Sequence, residues 1–75
     1  MIKLADVETG QRAVVRKIHG DTRFTSRITS IGLTDGCSIE MVQNRKKRPV
    51  LIAARDSVIA IDRGDSAHIE VEVRR

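Results

Sequence analysis

A mainly β fold, built as a small, partly open barrel of five to six short strands with one short helix, is what this sequence predicts. Three observations lead there. The chain has 75 residues, the length of one small domain. Its apolar residues fall in short runs separated by turn residues, the rhythm of strands. One stretch alone shifts to helical spacing. Wrapping such strands into a barrel removes most exposed edges, and the helix plugs one end or covers one side. An oligonucleotide-binding barrel is the nearest competing fold, because periodicity does not reveal strand order.

Taken in order, Leu4 and Val7 precede a turn at Thr9-Gly10-Gln11. Arg12–Ile18 is β-rich, with Ala13 and Val15 alternating against Arg16, although Val14 and Ile18 complicate the pattern. After His19-Gly20-Asp21 the period changes: Phe24, Ile28 and Ile31 share one stripe if about Thr22 to Ser30 is helical. Asp21 or Thr22 is placed to cap its N-terminus, and Gly32 supplies the left-handed position after its last turn, turning Leu33 back onto the helix end. Thr25, Ile28 and Thr29 are poor helix formers, so this helix depends on packing.

Asp35-Gly36 is a turn, followed by a strand over Cys37–Gln43 with Ile39 and Met41 on one face and Val42 breaking the alternation. Asn44–Arg48 is a basic loop. Pro49 opens a strand through Arg55. Asp56-Ser57 reverses the chain into Val58–Ile61, and Asp62–Ala67 holds one possible helical turn. Ile69, Val71 and Val73 alternate with Glu70, Glu72 and Arg74, the cleanest half-buried strand pattern in the chain. Arg74 and Arg75 are expected to fray.

With no Trp or Tyr and Phe24 as the only aromatic, the core is aliphatic. Cys37, the single cysteine, excludes an intrachain disulfide and suits a reducing compartment. No signal-like or membrane-spanning run is visible, so a cytoplasmic location without membrane insertion is expected. The formal charge of +4 favours solubility and mild attraction to anions.

Chemistry-bearing patterns are sparse. Cys37, His19 and His68 are isolated, and a tight transition-metal site needs about four convergent ligands. Asp62, Asp65 and His68 form a DxxDxxH spacing whose simpler reading is a solvated turn. No metal site and no cofactor is therefore expected. There is no phosphate-binding Gly-rich loop and no nucleophile with a convincing His and acid partner, so no catalytic residue is assigned and no enzyme is expected. The alternative function is a nucleic-acid-binding or regulatory module using Arg45, Lys46, Lys47 and Arg48, extended by Arg16 or Arg55. The shortage of stacking aromatics and the presence of Glu70 and Glu72 argue against it.

In their order and spacing, Leu4, Val7, Gly10, Ala13, Val15, Ile18 and Gly20, then Arg27-Ile28-Thr29-Ser30-Ile31-Gly32-Leu33, Gly36 and Ile39, then Pro49, Ala60-Ile61, Ala67, Ile69 and Val71 resemble the FeoA family over nearly the whole chain. The resemblance implies a single FeoA-like domain over residues 1–75, an SH3-like barrel, and an accessory role in ferrous iron uptake without catalysis. It implies one partner, the cytosolic side of FeoB, a membrane Fe(II) transporter with its own GTPase domain, which would recruit the protein to the inner face of the membrane. Similar domains end iron-dependent repressors. This chain departs from the pattern at Asp56, where glycine is common, and at Asn44–Arg48, where an apolar residue, a proline and a glycine are common. The expected partner-binding residues are Arg27, Thr34 and Asp35 at the helix end and following turn, with Arg45, Lys46, Lys47 and Arg48 in the loop. An exposed strand edge would also permit weak homo-oligomerisation.

Overall fold

Alternation of apolar and polar residues builds one antiparallel sheet. In the computed structural model, which describes residues 1–74, the strands are β1 (Ile2–Lys3), β2 (Arg12–Ile18), β3 (Ser38–Gln43), β4 (Val50–Ala54), β5 (Ser57–Ile61) and β6 (Ile69–Arg74). The expectation that Arg75 frays lies outside the described residues. Arg74 is in β6, opposite Arg12. The strand order is β1-β6-β2-β3-β4-β5, and every neighbouring pair is antiparallel.

Two expectations need correction. The sheet does not close into a barrel: β1 and β5 are its two ends and do not pair with each other. The physical reason lies in β1, which is two exposed residues long before the chain turns into a 3₁₀ turn at Leu4–Asp6. Such a strand offers too little edge to cross to β5. The second correction is the helix count. Besides α1 (Thr22–Ser30) there is α2 (Arg63–Ser66), one turn long. Ser66 and Ala67 donate to the carbonyls of Asp62 and Arg63 four residues back. Ser66 is fully buried, its hydroxyl donating to the Arg63 carbonyl at 2.7 Å.

Two bulges explain the broken alternations. Arg16 is the extra residue between Val15↔Val71 and Lys17↔Glu70, which returns Ile18 to the core side with Val15. Val42 is the extra residue between Met41↔Ile52 and Gln43↔Leu51, and it stays exposed. The core gathers Leu4, Val7, Ala13, Val15, Ile28, Leu33, Ile39, Met41, Val50, Ile52, Ala54, Ile61, Ile69 and Val71. Of the predicted helix stripe only Ile28 is buried. Phe24 is half-buried and Ile31 is exposed.

Local chemistry fixes both ends of α1. The Asp21 carboxylate accepts from the Phe24 N–H at 2.8 Å. Gly32, at φ 106°, donates to the Thr29 carbonyl, and Leu33 donates to the Ile28 carbonyl, the paired bonds of a Schellman ending. Asp21→Ala is expected to lower stability by about 1 kcal/mol. Urea unfolding checks this: the midpoint should fall with an unchanged slope. The β4–β5 hairpin closes on Arg55-Asp56, and Arg55, not Asp56, takes the left-handed conformation at φ 57°.

Candidate partner-binding site

The predicted contact residues occupy three places. Arg27 projects from the last turns of α1 and donates from Nη2 to Asp65 Oδ2 of α2 at 2.9 Å. Its guanidinium lies 5.4 Å from the centre of the Phe24 ring, which meets His68 edge-on at 5.9 Å. Phe24, Arg27, Asp65 and His68 thus form one linked group joining α1 to the segment before β6. This arrangement also disperses the DxxDxxH spacing: Asp65 is held by Arg27, His68 lies against Phe24, and Asp62 is exposed. Among the described residues no three His, Cys, Asp or Glu side chains are grouped to hold a metal. Cys37 is half-buried, its Sγ 3.7 Å from the Gly32 carbonyl.

Thr34 and Asp35 sit in the turn entering β3. Its backbone is fastened to β2: Gly36 donates to the Val15 carbonyl at 2.7 Å, and Val15 donates to the Cys37 carbonyl at 2.9 Å. Among the described residues, no hydrogen bond or ion pair joins this turn to the Arg27 group or to the basic loop.

Arg45, Lys46, Lys47 and Arg48 are all exposed and, among the described residues, form no ion pair. Their backbone is nevertheless held. Arg48 donates to the Arg45 carbonyl at 3.2 Å across a tight turn in which Lys47 has φ 63°. Arg63 of α2 donates to the Arg48 carbonyl at 3.2 Å, to Asn44 Oδ1 at 2.6 Å and to the Arg45 carbonyl. Asn44 in turn donates to the carbonyls of Ala5 and Val7 at 2.9 and 2.7 Å. Four exposed cations are therefore carried on a backbone held by Arg63 and Asn44.

The short helix α2 supports both parts of the surface, because Arg63 grips the loop and Asp65 grips Arg27. Sequence reasoning missed Arg63 and Asn44 in this role. Their partners are mostly backbone carbonyls, which leave no pattern in a sequence. Arg16 does not extend the basic patch freely, since its Nε lies 3.0 Å from Glu72 Oε1.

An open antiparallel sheet with two short helices and an exposed basic loop on a backbone-anchored turn defines a small, mainly β domain. The FeoA domain family matches residues 2–73, and the chain belongs to that family. It is a FeoA-type accessory domain linked to ferrous iron transport. It is 33% identical over 72 residues to the putative Fe(2+) transport protein A of Methanocaldococcus jannaschii, covering 96% of this chain and 87% of that protein. It is 34% identical over 73 residues to the Fe(2+) transport protein A/Fe(2+) transporter FeoB fusion protein of Porphyromonas gingivalis, covering 96% of this chain but only 9% of that protein. A crystal structure of an iron uptake regulatory protein, FeoA, shares the fold with a TM-score of 0.93 at 23% identity, covering 97% of each chain. No helix among the described residues is long and apolar enough to cross a membrane.

Proposed function

We propose that the domain binds the cytosolic side of a FeoB-like ferrous iron transporter and acts as an adaptor recruited to the inner face of the membrane. One observation carries this reading. In the Porphyromonas gingivalis relative, a transport protein A and a FeoB transporter are one fusion protein, and this chain is 34% identical to it over 73 residues. Physical linkage of that kind favours a working contact between the two parts. The contact surface consists of Arg27, Thr34 and Asp35 with Arg45, Lys46, Lys47 and Arg48. The exposed loop cations steer the encounter towards an acidic patch, and apolar contacts supply most of the affinity.

The test is a pull-down with the cytosolic domain of the cognate transporter, at low and moderate salt, with an unrelated duplex DNA as control. Replacing Arg45, Lys46, Lys47 and Arg48 by serine should weaken transporter binding by about tenfold at low salt and less at higher salt, without unfolding. Salt-sensitive DNA binding with no transporter contact, together with normal Fe(II) uptake in a deletion strain, would favour the nucleic-acid reading instead.

A further inference from the structure

We propose that the free edge of β5 accepts an extended segment of a partner protein as a seventh strand, with a lysine or arginine of that segment lying beside Asp62. The inference stands whether or not the partner is a transporter. Edge strands are ordinarily protected by charge, proline, a bulge or shortness. Strand β5 has none of these: it reads Ser-Val-Ile-Ala-Ile and pairs with β4 in five consecutive steps without a bulge. The opposite edge, β1, is two residues long and carries Lys3. Protection is thus present at one end of the sheet and missing at the other.

The register shows which groups are available. A two-residue connection, Arg55-Asp56, makes Ala54↔Ser57 a hydrogen-bonded pair. Alternation then turns the N–H and C=O of Ser57, Ile59 and Ile61 towards β4, and those of Val58 and Ala60 outwards. Val58 is 63% exposed and Ala60 is exposed, so neither edge position is shielded.

Beside the C-terminal end of this edge lies a shallow cleft between α1 and α2. Ile28, Ile31, Ala60 and Ile61 give it an apolar floor, with Arg27, Asp62 and Asp65 on its rim. Arg27 is matched by Asp65, while Asp62 is exposed and, among the described residues, has no ion pair. The cleft accordingly suits an apolar side chain followed by a cation. A second copy of this chain is a poor occupant. Antiparallel pairing of the whole edge with itself, centred on Ile59, brings Asp56, just before the strand, near Asp62, just after it, of the other copy, twice. Like charges brought together at both ends of the pairing oppose it.

The probe is the peptide acetyl-Lys-Val-Thr-Val-Thr-Lys-amide, with the same peptide carrying Glu at both ends as control, and the readout is amide hydrogen exchange by NMR on the full chain. In the free protein the amides of Val58 and Ala60 should exchange rapidly. Saturating lysine peptide should slow both by about tenfold or more, leaving Ile59 and Ile61, already bonded to β4, unchanged. Asp62→Ala should weaken the lysine peptide. Val58→Pro, which removes an outward donor and spares the β4 ladder, should abolish protection at Ala60. The unmodified protein decides the matter alone if that variant fails to fold. No protection at about 5 mM peptide, a dissociation constant the edge should beat, would overturn the proposal. So would equal binding of the Glu peptide, or protection of Val58 and Ala60 that grows with protein concentration in the absence of peptide.

Discussion

Leu33→Ala is expected to destabilise the domain by about 2–5 kcal/mol, enough to endanger folding in a chain this small. Leu33 has no solvent exposure, so the substitution removes every side-chain carbon beyond Cβ from the aliphatic core. The residue also has a second task. Its N–H donates to the Ile28 carbonyl at 3.2 Å to end α1, and both side chains belong to the same buried cluster. An alanine keeps the backbone bond but loses the apolar contact that holds the ending in place. Thermal unfolding should show a midpoint lowered by about 10 to 40 °C. Leu33→Met, which conserves volume, should cost less than about 1.5 kcal/mol. An alanine variant within about 1 kcal/mol of the parent would mean that the core closes over the space, and that this position does not fix α1 against the sheet.

That residue illustrates what was legible in the sequence. Both ends of α1 follow from chemistry within a few residues: the Asp21 cap at one end, Gly32 and Leu33 at the other. Strand β6 was legible from simple alternation, because Ile69 and Val71 face the core and Glu72 faces solvent. Strands β2 and β3 read less cleanly because each contains a bulge, at Arg16 and Val42, and a bulge resets the period in mid-strand. Closure of the sheet was not legible at all. It depends on whether Ile2–Lys3 reaches Ser57–Ile61, a contact between the two ends of the strand order that no local pattern encodes. The candidate site divides in the same way. Charge and turn signals drew attention to Arg27 and Arg45–Arg48. The support beneath the loop rests on Arg63 and Asn44 reaching main-chain oxygens distant in sequence, and a lone arginine between two aspartates carries no signature of that work.

Arg63→Ala tests that support directly and is the second large effect expected. One partly buried guanidinium satisfies Asn44 Oδ1 and the carbonyls of Arg45 and Arg48. Bonds from a charged donor contribute more than neutral ones, and a partly buried acceptor left without its donor adds a desolvation cost. Together these make a loss of about 2–3 kcal/mol reasonable. The loop should then lose its fixed turn, so the Arg48 N–H, now bonded to the Arg45 carbonyl, should exchange faster with solvent while the amides of β2 and β6 keep their relative protection. Arg63→Lys should recover only part of the loss, because an ammonium does not reproduce the planar fork that spans these acceptors. Replacing the four loop cations makes the complementary experiment: their side chains are exposed, so the turn and its exchange behaviour should persist while partner binding weakens. If Arg63→Ala left both the melting temperature and the Arg48 exchange rate unchanged, the α2–loop contact would not be what orders the loop. The cations would then have to be presented by a flexible segment, which loses conformational entropy on binding and gains less affinity per contact.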